Sequence, residues 1–304
     1  MSLDRPTDAQ PHYGEHLGDV EYWAPFVREI LGRHSLPTGH VEPPYVGTFP
    51  TFLVGDLVVK VFGTAFDGDE SSQVEIAMHA LLDSQPDIPA PSVVAAGQLF
   101  DTHPTWPYLV TERVRGRAIR EVQLDESLGE QVAAALGAIV RRLHELTPPA
   151  TVDERGLLDN LRAEAPTRLR RFGLPDHLVQ QVPDFLADAE TPTILVHGDI
   201  TADHVFVDDQ GLTAVIDWGD ALVADRAYEL PAIYLDAFRG DRRLLATFID
   251  AADWPRDNLA RRGLQGILEI QFNAVNAIAE RIDLAHVRTL DELAERLFAR
   301  SGTA

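Results

Sequence analysis

Residues 196–220 read VHGDITADHVFVDDQGLTAVIDWGD. An apolar strand runs into His197-Gly198-Asp199, and a loop of four residues leads to His204. A short hairpin follows, and its second strand ends in Asp217-Trp218-Gly219. Because the hairpin folds back, the pattern predicts Asp199 and Asp217 at neighbouring strand ends, facing one cleft. Two carboxylates placed there can divide labour. One holds a divalent metal on the phosphates of a nucleotide. The other accepts a hydrogen bond from an incoming hydroxyl and takes its proton late in the transfer.

Upstream, EYWAPFVREILGRH (21–34) puts Trp23, Phe26, Val27, Ile30 and Leu31 on one helical stripe, with Pro25 expected in the first turn. YVGTFPTFLV (45–54) and DLVVKVFG (56–63) flank Gly55-Asp56, a hairpin turn. ESSQVEIAMHALLDS (70–84) is helical, with Val74, Met78, Leu81 and Leu82 on its apolar face. PSVVAAGQLF (91–100) and WPYLVTERVRG (106–116) read as two more strands. SLGEQVAAALGAIVRRLHEL (127–146) is a long helix turning Leu128, Val132, Leu136, Ile139, Val140 and Leu143 inward. Two helical segments follow, near 157–172 and 174–189, and from Arg226 onward the chain reads as helical. A small sheet with one inserted helix, followed by a mostly helical part, is an α+β outline.

The 304-residue chain has no cysteine, which excludes disulfides and Cys-based zinc or redox sites. Its formal charge is −22, which disfavours nucleic acid and anionic membranes as partners and attracts cations, though composition alone is as well read as acidity that keeps the protein soluble. The polar, acidic start and the lack of a long apolar run lead to the expectation of a cytoplasmic protein, as a monomer. Lys60 is the only lysine, and the other 25 of the 26 basic residues are arginine. Where arginine is so preferred, a surviving lysine suggests a place that needs a compact ammonium.

The order of a loop Asp, four residues, a metal ligand and then Asp-x-Gly resembles the phosphotransfer machinery of protein kinases. With His197-Gly198 in place of His-Arg and Asp217-Trp218-Gly219 further on, the chain resembles the aminoglycoside phosphotransferase family. The resemblance implies a bilobal, protein-kinase-like fold. Residues 1–113 would form a nucleotide-binding lobe led by a helix at about 21–34. Residues 114–304 would form a helical lobe carrying the catalytic loop and the acceptor site. It also implies ATP or GTP as phosphate donor, with Mg2+ or Mn2+. Lys60 would contact the phosphates, steadied by Glu75, with Glu70 as the fallback. Backbone groups around Glu112 to Val114, at a hinge between the lobes, would hold the base. Asp199 is the expected catalytic base. His144 and His197 are given structural roles, and Asp225 braces the Asp-x-Gly loop or caps the helix after it.

Two departures stand out. The loop around GTFPT (47–51) carries no Gly-x-Gly-x-x-Gly, and His204 stands where the family places an asparagine. Imidazole suits softer transition metals, whereas magnesium prefers oxygen ligands. His204 therefore has three readings. It binds the metal through a ring nitrogen, which favours manganese. Or it hydrogen-bonds a phosphate or water while a neighbour such as Asp203 serves the metal. Or one metal site is lost, leaving an ion on Asp217 alone. Singly, each feature has a plainer reading: a strand-end Asp is often a cap, a strand Lys a solvated edge residue, a helix Glu a surface group. Their order along the chain favours the functional one.

Segments 21–31, 234–254 and 290–299 resemble hygromycin B phosphotransferases, which implies O-phosphorylation of a cationic, aminoglycoside-like acceptor. Asp220, Asp236, Asp241, Glu269 and Asp283 are the candidates for holding it. A kinase for a peptide antibiotic, a macrolide or a metabolite, and a nucleotide-binding regulator without transfer activity, are the alternatives.

Overall fold

The structure, a computed structural model, describes residues 16–43, 47–63, 67–102, 104–153, 156–187, 189 and 193–298. The first two residues of the strand expected from Tyr45, and Ala299 at the end of the C-terminal segment, lie outside them. The chain divides into two compact units, Met1–Val114 and Arg115–Ala304.

In the first unit, helix α1 spans Val20–Arg33, and the Asp19 carboxylate caps it by accepting the Tyr22 N–H. The helix starts a residue earlier than expected, so Pro25 is its sixth residue and lies past the first turn. The N–H that Pro25 lacks would have gone to the carbonyl of Glu21, an exposed residue whose carbonyl water can satisfy. The expected stripe is buried: Trp23, Val27, Ile30 and Leu31 are 0 % exposed. Strands β1 (Thr51–Val54) and β2 (Leu57–Val61) form the hairpin around Gly55-Asp56, with Gly55 at φ +60°. A glycine at positive φ in the first central position suits the twist of a two-residue hairpin. Helix α2 (Gly68–Leu82) follows, then β3 (Val93–Gln98) and β4 (Pro107–Glu112). The four strands are antiparallel in the order β1-β2-β4-β3. Trp23 and Phe26 of α1 pack against Trp106 and Phe100 in offset and edge-on arrangements, joining helix to sheet. On α2, Leu81 is only half-buried, while Glu75 and His79 are buried beside Val74 and Met78.

The second unit opens with a two-residue strand β5 (Arg117–Ala118) and the long helix α3 (Glu126–His144). Along α3, Val132, Leu136, Val140 and Leu143 are fully buried, and Leu128, expected with them, is half-buried. Helix α4 (Leu157–Arg171) matches the first helical segment expected. The second is split into two single-turn helices, α5 (Asp176–Val179) and α6 (Val182–Leu186), with Pro183 in the first turn of α6. Strands β6 (Ile194–Val196), β7 (Val205–Asp208) and β8 (Gly211–Val215) follow, and then β9 (Leu222–Ala224), which the pattern did not show. The order β5-β7-β8 makes one sheet, and β6 pairs with β9 in another. After a π-helical segment at Pro231–Ala237 come α7 (Arg242–Ala251), α8 (Leu259–Glu269), α9 (Val275–Ala279) and α10 (Leu290–Phe298). Helices α3 and α7 pack closely: a Cβ on Gly137 would stand 2.6 Å from the Phe248 carbonyl oxygen. Among the described residues no helix is long and apolar enough to cross a membrane.

His144, near the end of α3, packs edge-on to Trp254, and its Nε2 is buried with no hydrogen-bond partner among the described residues. Burial, with Arg226 nearby, lowers its pKa from 6.5 to about 3. Between those values the unfolded chain binds a proton that the folded protein does not. His144 is therefore neutral at no cost above pH 6.5, and stability falls as the pH drops below it. His144→Phe removes this dependence. Denaturant unfolding at pH 7.5 and pH 5 should show the variant gaining about 2 kcal/mol on the wild type at the lower pH, at about 1.4 kcal/mol per unit. A gap that did not change with pH would refute the burial of a neutral ring here.

Candidate active site

Strand β2 sets Lys60 opposite Thr51 of β1 and Leu109 of β4. Its Nζ lies 2.6 Å from Glu75 Oε2, with the two side chains only 12 % and 5 % exposed. The rings of Phe49 and Phe62 flank the ammonium, with centroids 5.5 and 5.1 Å away. The lone lysine is thus held as a compact cation in a tight, largely dry setting. Glu70, the fallback partner, is exposed. At the end of β4 the N–H of Glu112 donates to Ser92 and that of Arg113 to Asp56. Of the backbone groups around Glu112 to Val114 expected to hold a base, the Glu112 and Arg113 N–H groups are thus engaged, while the Val114 N–H has no partner among the described residues.

In the second unit Asp199 follows β6. Gly198 before it has φ +85°, and a Cβ there would meet the Asp220 carbonyl oxygen at 2.6 Å. This close approach explains His-Gly where protein kinases carry His-Arg. The strand beside β6 is β9, antiparallel, whereas β8 belongs to the other sheet. The expectation of neighbouring strand ends is corrected accordingly. The turn Trp218–Asp220 brings the strand after Asp-Trp-Gly, rather than the one before it, against β6. Asp199 and Asp217 nevertheless converge on one ring, that of His204, at 3.3 and 3.4 Å.

His197 is fully buried and braces this region. Its Nε2 donates to the Ile216 carbonyl, its Nδ1 accepts the Asp199 N–H, and burial lowers its pKa to about 4. Behind the loop stands Glu229, 0 % exposed, accepting the His197 N–H at 2.6 Å and the Gly198 N–H at 3.4 Å. Sequence reading missed it. The available signal was a lone acid in the otherwise apolar run AYELPAIYL (227–235). Burial also raises the Asp199 carboxyl to about 7; His204 opposes the rise, and Asp220, Asp217 and Asp236 add to it.

The His204 ring is well fixed. Nδ1 lies 2.7 Å from the Asp199 carbonyl oxygen and 3.1 Å from Thr201 Oγ1. A carbonyl only accepts, so Nδ1 carries the hydrogen and Nε2 turns toward Asp217 Oδ2 at 3.4 Å. A neutral ring there would point a lone pair at a carboxylate, and a cation relieves that repulsion. Two ligands each about 2.1 Å from one ion stand about 3 Å apart, so the separation suits shared ligation of a divalent metal. The ring is held by its far nitrogen, as metal-binding imidazoles commonly are. Among the described residues no group of three or more His, Asp or Glu forms a ready-made metal cluster. The donor pair of one nitrogen and one carboxylate fits an ion that takes its remaining ligands from water and phosphate oxygens. Asp217 itself sits at φ +63°, a left-handed conformation that Asp tolerates and that aims its carboxylate at the ring.

The five acceptor candidates separate. Asp220 lies in the turn after Asp217 and accepts from Gln271 Nε2 at 3.0 Å. Asp236 accepts from Arg120 and from the Ala202 N–H. Asp241 caps α7, and Asp283 caps a short turn and pairs with His286. Glu269 is buried against Arg162 at 2.7 Å. Asp203, considered as a metal helper, pairs instead with Arg120. Asp225 caps the turn after β9 through the Ala227 N–H, as one of its two expected roles required.

The model of the phosphotransferase enzyme family (APH) matches residues 47–264. Among solved structures, the GDP and kanamycin complex of APH(2")-IIia is similar over 92 % of this chain and 96 % of that one, at 21 % identity and TM-score 0.68. A macrolide 2'-phosphotransferase from Brachybacterium faecium, solved without ligand, is similar over 92 % of this chain and 99 % of its own, at 19 % identity and TM-score 0.59. At these identities the likeness is one of fold. The family match extends over well more than half of the chain and spans Lys60, Glu75, Asp199, His204 and Asp217. The chain belongs to the phosphotransferase enzyme family, as a kinase-like enzyme that transfers phosphate to a hydroxyl of a small molecule.

Proposed function

We propose that the enzyme uses ATP or GTP, with Mg2+ or Mn2+, to phosphorylate a hydroxyl group of a cationic small molecule of the aminoglycoside class. What supports the acceptor reading is the gathering of carboxylates, and the negative field it makes, at the base: Asp217 faces the same His204 ring as Asp199, and Asp220 lies in the turn that follows Asp217. A polycationic acceptor relieves that field and is drawn to it. Asp220 is the acceptor ligand best supported, because it is close enough to act on Asp199 and its partner is a neutral amide. Solved proteins of this fold hold kanamycin or streptomycin, which supports the same class.

The first unit supplies Lys60, steadied by Glu75, for the donor phosphates, and the Val114 N–H for the base. In the second unit Asp199 orients the acceptor hydroxyl and takes its proton. As that oxygen bonds to the γ-phosphorus, the bond from phosphorus to the β–γ bridging oxygen breaks and a nucleoside diphosphate leaves. His204 and Asp217 would hold a divalent ion, which supplies neutralisation of phosphate charge when bound. No covalent enzyme intermediate is required.

A mass-spectrometric screen tests this. The protein is incubated with ATP or GTP, Mg2+ or Mn2+, and hygromycin B, kanamycin, streptomycin, a macrolide and a peptide antibiotic. The expected result is one phosphate added to an aminoglycoside. Phosphate on the macrolide or the peptide alone would overturn the acceptor class and leave the reaction intact.

A further inference from the structure

Arg120 lies on the short turn Ile119–Glu121 that follows β5. Its backbone N–H donates to the Ala202 carbonyl at 3.0 Å. Its Nε donates to Asp203 Oδ1 at 2.7 Å, and its Nη2 to both oxygens of Asp236 at 2.9 and 3.0 Å. Asp236 in turn accepts the Ala202 N–H at 2.7 Å. Both backbone groups of Ala202, midway between Asp199 and His204, are therefore tied to this one pair. Asp236 is delivered by the π-helical segment Pro231–Ala237, a geometry that is rare and frequent at functional sites. Arg239 Nη2 closes the cluster by donating to the Arg120 carbonyl.

We infer that Arg120 and Asp236 are positioning residues that clamp the loop from Asp199 to His204 in its reactive geometry. Side chains at 48 % and 34 % exposure form an ion pair of little worth to global stability. Its worth lies in where it holds Ala202, since a small misplacement of a catalytic group costs about 100-fold in rate. The arginine also answers two carboxylates at once through different nitrogens, which a lysine point charge does not reproduce. In this reading Asp236, a candidate acceptor ligand by sequence, serves the loop.

The inference rests on the phosphotransferase reading of the loop, and its test separates the two. Arg120→Met, Arg120→Lys, Asp236→Asn and the double variant Arg120→Met/Asp236→Asn are compared with wild type by hydrogen exchange, read on the peptide covering residues 199–206. The same proteins are assayed with kanamycin and hygromycin B as probe acceptors. Arg120→Met should speed exchange of that peptide by about tenfold or more, with the rest of the chain and the Tm little changed. It should lower kcat by about 10- to 100-fold with nucleotide KM within about twofold, Arg120→Lys falling between. The double variant should be no worse than the poorer single, as for two residues acting as one unit. If neither probe is phosphorylated by wild type, the acceptor reading fails and the exchange result still decides the clamp. Unchanged exchange, or a kcat loss accompanied by a comparable rise in nucleotide KM and a marked fall in Tm, overturns the clamp.

Discussion

Replacing Asp199 by asparagine is expected to lower kcat by about 1000-fold while nucleotide Kd changes by less than about threefold. The substitution keeps the side-chain shape and the Asp199 main-chain groups, so the carbonyl that fixes His204 Nδ1 stays in place. What it removes is the acceptor for the hydroxyl proton. The wild-type carboxyl is suited to that proton because burial, with the neighbouring Asp220, Asp217 and Asp236 and against the opposing His204, lifts it to about 7. The side chain is not among the groups proposed to hold the donor phosphates, which are Lys60 and the ion that His204 and Asp217 would hold. Titration of Asp199→Asn with a fluorescent nucleotide, alongside steady-state kinetics on the acceptor found by the screen, checks both halves. Full turnover by the variant would remove Asp199 from its role. Loss of nucleotide binding in step with kcat would make it a structural residue.

Much of the arrangement around His204 could be read from the sequence because the motifs are local. His197-Gly198-Asp199, His204 and Asp217-Trp218-Gly219 fall within 23 residues, and each lies beside a short, largely apolar strand. The Lys60–Glu75 pair was legible only through the family resemblance, in which a carboxylate of the following helix steadies the strand lysine. What could not be read is what depends on contacts distant in sequence. Glu229 reaches His197 across 32 positions and Arg120 reaches Asp236 across 116, and no periodicity encodes such a pairing. Strand β9 is three residues long and acquires its identity only by pairing with β6. The acceptor candidates were the least legible of all. In a chain with 48 acidic residues, a carboxylate at a helix start is as ready to be a cap, as Asp241 and Asp283 are, as to be a ligand.

Asp217→Asn is expected to lower kcat/KM by about 100- to 1000-fold, because it removes the one charged donor of the pair facing His204 Nε2. The amide keeps the shape of the turn, including the left-handed backbone that Asn tolerates as readily as Asp. His204→Asn probes the other half of the pair and should change preference more than rate. The ring is anchored through Nδ1, so Nε2 is the donor offered to an ion, and a nitrogen donor is better suited to Mn2+ than to Mg2+. An amide oxygen reverses that balance. The wild type should therefore turn over faster with Mn2+, and His204→Asn should shift the Mn2+ to Mg2+ ratio of kcat/KM toward magnesium by about tenfold or more. Mn2+ binding to each protein, followed by electron paramagnetic resonance, gives a readout independent of turnover. It should weaken strongly in Asp217→Asn and lose its nitrogen coupling in His204→Asn. If the metal preference of kcat/KM were the same in His204→Asn as in wild type, the ring would not be a ligand. Its place between Asp199 and Asp217 would then serve to hold the two carboxylates apart, as a proton-bearing spacer where the family carries an amide.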